Sequence, residues 1–176
     1  MDQLEGTQRM KFSALPIVAA LLSSNIAMAG WEAGANGGHT MLINPDRVSA
    51  SGLGFGIRAG YALDFGLVPE LVIGDHMLSV QSTDLMVMSV AVGARYILLE
   101  DIFDPFLAVH VGTYTTTGSG FYNYDDGPGL TVDAQFGCQY EISDSLYTGP
   151  IVSFGKLLPA GGTDLTHLGL DFGYKF

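Results

Sequence analysis

Positive charge is scarce in this chain. It carries 7 Lys and Arg against 18 Asp and Glu, for a formal net charge of -11, and a nucleic-acid surface needs a basic patch that so few cations cannot build. Cysteine is nearly absent. Cys138 alone leaves no intramolecular disulfide, so the redox compartment has to be read from elsewhere. Charge of either sign is low, at 14%, beside 48% hydrophobic residues and 24 glycines. Those proportions are unusual for a soluble enzyme and suit a chain whose neighbours are lipid and tight turns. With 176 residues, any function has to fit one domain and one core.

Long apolar runs are also missing beyond Gly30. Before it, Arg9 and Lys11 flank the start of MKFSALPIVAALLSSNIAMA, residues 10–29, with an apolar run from Ala14 to Leu22 and a small-x-small ending at Ala27-Met28-Ala29. This is the pattern of a secretory signal cleaved before Gly30. The run is much shorter than the roughly 20 residues that span a bilayer, which argues against an anchor. The preceding MDQLEGTQR is an acidic extension, so Met10 stands as an alternative initiator to Met1. The expected division is 1–29, extension plus export signal, and 30–176, a single domain. If that domain enters a membrane, it has to do so as a closed barrel, because open strand edges would leave unpaired backbone groups in lipid.

What the domain does have is alternation at period two, interrupted by turn residues. Leu53, Phe55, Ile57, Ala59, Tyr61 and Leu63 share one face, with Gly52, Gly54, Gly56, Arg58, Gly60 and Ala62 on the other. The same contrast recurs over Leu85 to Leu98, Phe106 to Thr115, Leu130 to Tyr140 and His167 to Phe176. Leu67 to Met77 and Leu146 to Gly155 alternate less cleanly and contain Pro69 and Pro150, each lacking a ladder donor. Trp31 to Leu42 is mostly Ala, Gly and Asn.

Eight segments result. Short connections at Asp64 to Gly66, Leu99 to Asp104 and Ser143 to Ser145 follow even segments; generally longer ones, Thr116 to Pro128 the longest, follow odd segments. That is the arrangement of bacterial barrels with periplasmic turns and external loops. Sidedness separates membrane from soluble barrels. Charged members share a face with glycines, and bulky apolar residues share the other, so lipid is expected outside and a crowded polar lumen inside. The fold expected is all-β, an eight-stranded antiparallel up-and-down transmembrane β-barrel. A secreted soluble barrel is the alternative architecture.

The C-terminus carries a more specific signal. His167, Gly169, Phe172, Tyr174 and terminal Phe176 have the spacing of the last strand in the OmpA/OmpX-like superfamily of small outer-membrane barrels, which the whole of Gly30 to Phe176 resembles. VGARYIL at 92–98 and DPFLAVHVG at 104–112 look like the hairpin of its fourth and fifth strands. Trp31 to Leu42 departs from the family in lacking a firm apolar face. The resemblance implies the outer membrane of a Gram-negative bacterium, with membrane lipids and lipopolysaccharide as neighbours and the barrel-assembly machinery as a partner that reads the C-terminal residues. It implies a monomer.

The residues themselves offer little catalysis. His39, His76, His110 and His167 are dispersed, with no spacing for zinc and no His-Ser pair of the kind found in lipid A deacylases on this scaffold. His110 and His167 fall on the expected lumen face, where hydrogen-bonded structural roles are ordinary. Arg58, Glu70, Arg95, Asp133, Asp171 and Lys175 are expected to face inward as a charge network, since buried charges need partners. The connection holding Phe121, Tyr122, Tyr124, Asp125 and Asp126 is the candidate surface-recognition loop, although the same residue types serve as turn formers and membrane-interface anchors. The reading is a non-enzymatic barrel with a structural or surface-interaction role and no cofactor. A lipid A-modifying enzyme on the same scaffold is the alternative.

Overall fold

The computed structural model describes residues 30–43, 49–63, 65–80, 83–98, 103–118, 128–158 and 163–176. Residues 1–29 and the aromatic and acidic residues Phe121, Tyr122, Tyr124, Asp125 and Asp126 lie outside the described residues. Eight strands follow in order: β1 (Trp31–Ile43), β2 (Ser49–Tyr61), β3 (Leu67–Val80), β4 (Thr83–Ile97), β5 (Phe103–Gly118), β6 (Gly129–Glu141), β7 (Leu146–Leu158) and β8 (Thr163–Lys175). Each pairs antiparallel with its sequence neighbours, and β1 pairs with β8 to close the barrel.

Lateral partners define the geometry. Starting at Glu32 and stepping through Gly60, Glu70, Gly93, His110, Asp133, Gly155 and Leu165, the ladder returns to β1 at Leu42, ten residues further on. Eight strands with that stagger tilt by roughly 40° and leave an interior that side chains fill. Alternation then assigns the faces. Val92, Val109, Leu168 and Phe172 are exposed on the outside, whereas Arg95, His110, His167 and Asp171 are buried inside.

The strands run further than their apolar alternation does. β3 continues past Met77 to Val80, β4 starts at Thr83, and β5 spans Phe103–Gly118 instead of Phe106 to Thr115. Only residues 81–82 separate β3 from β4, so the expected contrast between long and short connections reduces to the stretch between β5 and β6. The physical reason is that ladder pairing needs no apolar side chains where the wall stands clear of the belt. Ser79 pairs with Asp84 and Met86 with Thr117 in that region.

The two prolines interrupt less than their missing donors suggest. β3 pairs with β4 straight through Pro69, opposite Ala94. Opposite Pro150 the β6 ladder lapses between Gly137↔Ile151 and Tyr140↔Thr148, while β8 keeps its register through Pro150↔Leu170. Losing one donor toward one neighbour leaves the other ladder to hold the strand. At the end where β1 begins and β8 finishes, Gly66 adopts φ 79°, which a side chain would strain, and its amide donates to Leu63 O at 3.0 Å.

Outward side chains form two rings. Trp31, Tyr61, Tyr96, Phe103, Tyr140 and Tyr174 circle the turn end, with Trp31 and Tyr61 edge to face at 5.6 Å. His39, Asp75, Thr113, Lys156 and Thr166 occupy outward positions toward the loop end. At about 3.3 Å rise per residue and a tilt near 40°, the belt between them is roughly 20–25 Å tall, the height of a lipid-facing band.

Depth should therefore grade the cost of a charge. Val92→Arg, near mid-belt, should lower the stability of the refolded barrel by about 2–4 kcal/mol, and Thr115→Arg, beyond the polar ring, by about 0–1 kcal/mol. Urea unfolding in lipid vesicles measures both. Equal losses would displace the belt.

Candidate functional site

Inward alternation directs the chemistry-bearing side chains into the lumen, where they sort into three tiers. The first holds the charges. Arg58 grips Asp171 with both terminal nitrogens, Nη2 donating to Oδ2 at 2.8 Å, and its Nε lies 3.6 Å from Glu70 Oε2. Arg95 donates from Nε to the same Glu70 oxygen at 3.4 Å and pairs with Glu32 through Nη2. His110 links onward, Nε2 2.8 Å from Glu70 Oε1 and Nδ1 2.8 Å from Asp133 Oδ1. Carboxylate oxygens face both ring nitrogens, so the ring donates on both sides as imidazolium. Three cations then stand among four carboxylates, the near balance that burial demands.

Tyr147 sits at the base of this tier. Its hydroxyl accepts from Arg58 Nη2 at 2.5 Å, and its ring lies 5.6 Å from the Arg58 guanidinium carbon and 6.0 Å from that of Arg95. The small residues of β1 make the arrangement possible. A Cβ at Gly34 would stand 2.7 Å from the Arg58 guanidinium carbon. β1, poor in apolar residues, thus supplies space inside the barrel.

Above the charges lies a small chamber of about 70 Å³ with a mixed lining, Asn36, Ser89, Gln135 and Ser153 beside Val72 and Leu165. That is space for several waters. Thr40 Oγ1 is 3.0 Å from His76 Nδ1 and 2.9 Å from His167 Nδ1, so the hydroxyl can donate to one imidazole and accept from the other. The third tier closes the loop end: Leu42, Ala50, Leu78, Leu85, Val87, Tyr114 and Leu157 pack together as a buried apolar cap. At the opposite end a vestibule of about 680 Å³ opens below the charges, bordered by Glu32, Asp104, Glu141 and Lys175 among others.

Of the six residues expected in the lumen network, Arg58, Glu70, Arg95, Asp133 and Asp171 gather in the first tier. Lys175 stands apart, at the vestibule, paired with Glu141. Sequence reasoning omitted Glu32, Tyr147 and the linking role of His110. The parity of Glu32 with Gly34 and Asn36 was the available signal for the first. Among the C-terminal residues, His167 and Gly169 point inward, and Phe172 and Tyr174 outward. Phe176 follows the strand, its amide donating to Trp31 O at 2.9 Å across the β8–β1 seam and its ring 5.1 Å from that of Tyr174.

His76, His110 and His167 all lie within the wall, where a membrane lipid has no access, and His39 faces outward. Among the described residues, no group of three or more His, Cys, Asp and Glu is placed to hold a metal.

No protein-family model and no curated protein matches the sequence. Solved structures do match the fold. Neisserial surface protein A is similar at 16% identity with a TM-score of 0.72, covering 84% of this chain and 98% of that one. Ail, the attachment invasion locus protein of Yersinia pestis, is similar at 13% identity and a TM-score of 0.59, over 85% of this chain and all of that one (100%). The outer membrane enzyme PagL is similar at 13% identity and a TM-score of 0.54, over 82% and 99% of the two chains. Enzyme and surface proteins share this architecture, so the likeness carries the fold and leaves activity to the site. The chain has the closed eight-stranded antiparallel fold of these outer-membrane barrels.

Proposed function

We propose that residues 1–29 are an N-terminal extension plus a cleaved export signal and that residues 30–176 are a non-enzymatic outer-membrane barrel with a structural or surface-interaction role. The turn end faces the periplasm in this reading, with the aromatic ring at the inner membrane-water interface. The observation that carries it is the double closure of the lumen. Among the described residues, a buried ion-pair tier and an apolar cap, one on each side of a small chamber, obstruct the lumen at two levels. With the lumen occupied and His76, His110 and His167 turned inward, the barrel has its outside, where His39 lies, and its loops with which to act. Membrane lipids and lipopolysaccharide are the surroundings of a monomer, and the connection between β5 and β6, with Phe121, Tyr122, Tyr124, Asp125 and Asp126, is the contact for a partner.

The test has two parts. Cell envelopes should yield the protein in the outer-membrane fraction, with gel mobility that changes on boiling. Purified barrel in planar bilayers should show no stable channel. Sedimentation with the soluble fraction would remove the membrane reading, and sustained conductance would remove the closed lumen.

A further inference from the structure

One block of the outer wall differs from the rest of the belt. Asp75 and Met77 of β3 lie directly opposite Met88 and Met86 of β4, and all four side chains point outward. Residues 30–176 contain methionine at 41, 77, 86 and 88 only, so three of the four fall in this block. Met77, Met86 and Met88 are 46%, 37% and 42% exposed, free of the core packing that would otherwise explain them. Opposed residues of an antiparallel pair have Cβ atoms about 5 Å apart, and diagonal neighbours stand within about 7–8 Å. Thioether side chains are long and flexible enough to converge from such positions.

Asp75 is the fourth corner. Its Oδ1 is shielded from solvent and has no hydrogen-bond partner, at the rim of a lipid-facing belt where an isolated carboxylate is costly. The described cations are engaged elsewhere: Arg58 and Arg95 inside the lumen, Lys175 with Glu141, Lys156 beside Asp164. In the ladders Asp75 stands between Phe55 on β2 and Met88 on β4, with Met77 two residues on along its own strand. Among the described residues no Lys or Arg is placed to neutralise it, and a cation bound here would have methionine sulfur beside it.

We infer that Asp75, Met77, Met86 and Met88 form a binding site for a soft monovalent cation, Cu⁺ or Ag⁺, on the outer wall near the loop end. Thioethers select soft ions, whereas Ca²⁺ takes 6–8 oxygen ligands and Mg²⁺ an octahedron of them. One carboxylate cannot satisfy either. With a monovalent ion bound, the charge of Asp75 is neutralised, as a site at the edge of lipid requires. The site opens outward and is reached without entry to the lumen.

Silver nitrate titration of the refolded barrel, with methyl-labelled methionine followed by NMR in chloride-free detergent, tests the site. A Cys138→Ala background is used because a thiol binds the same ions. The methyl signals of Met77, Met86 and Met88 should shift together and saturate at one ion per chain, with Met41 unmoved. Asp75→Asn should weaken binding by about tenfold or more. Replacing the three methionines by leucine should abolish it while preserving the mobility shift on boiling, since outward apolar side chains are exchanged for similar ones. A site is refuted by no response up to millimolar silver, by equal shifts at Met41, or by undiminished binding in the triple leucine variant. Equal shifts with Ca²⁺ would refute a soft-ion site.

Discussion

Arg95→Ala should lower the stability of the refolded barrel by about 3–5 kcal/mol, the largest loss expected from any single lumen side chain. Arg95 is 1% exposed. It joins Glu32 of β1 to Glu70 of β3, and its guanidinium carbon lies 5.4 Å from the centroid of the Phe106 ring. Truncation leaves Glu32, itself buried, without that cation, and leaves a cavity against Phe106. Glu70 fares better because Arg58 and His110 remain. The loss should therefore be repaired from the Glu32 side. Arg95→Met combined with Glu32→Leu removes both charges and fills the space, and replacing a buried pair by apolar groups of similar volume is often neutral. Urea midpoints of the single and double variants, read by gel mobility and circular dichroism, decide the matter. A single variant within about 1 kcal/mol of the parent would mean that the tier is solvated and its ion pairs resemble surface ones.

Deleting Phe176 should reduce the amount of barrel in the outer membrane several-fold while leaving refolding in detergent largely intact. The intrinsic losses are modest. The deletion removes the amide that donates to Trp31 O and the ring that meets Tyr174. One hydrogen bond contributes about 0.5–1.5 kcal/mol and a fully buried ring about 1.5–3 kcal/mol. Phe176 is only half-buried, so neither loss unfolds a barrel closed along the full length of β1 and β8. Assembly is the larger effect if His167, Gly169, Phe172, Tyr174 and Phe176 are read together by the insertion machinery. Phe176→Ala separates the two contributions, because it keeps the seam hydrogen bond and removes the ring. Equal outer-membrane yields of parent, deletion and alanine forms would end the assembly-signal proposal. A failure of every form, parent included, to refold as β structure would count against the barrel itself.

The sharpest difference between what was readable and what was not lies between β2 and β1. Along β2, Leu53, Phe55, Ile57 and Tyr61 alternate with Gly54, Gly56, Arg58 and Gly60, and side-chain direction along a strand follows period two whatever the partner strands are. The same local rule exposed the faces of β4, β6 and β8. β1 offered Ala, Gly and Asn on both faces, and its role depends on a neighbour that local pattern cannot name. Gly34 matters because the Arg58 guanidinium lies over it.

The amino-acid sequence by itself determined the number of strands and the direction of nearly every side chain, because alternation is a property of a local stretch. It did not determine who meets whom across the lumen. Arg58 of β2 holds Asp171 of β8, Arg95 of β4 holds Glu32 of β1, and Glu70 of β3 meets His110 of β5. None of these pairs joins neighbouring strands. They exist because the ladder returns to β1 displaced by ten residues. That stagger sets the tilt and the width of the barrel, and width decides which inward side chains reach across it. The apolar cap and the chamber beneath it were settled in the same way, since closure brings Leu42 of β1 and Leu157 of β7 against the Leu78 and Leu85 pair of β3 and β4.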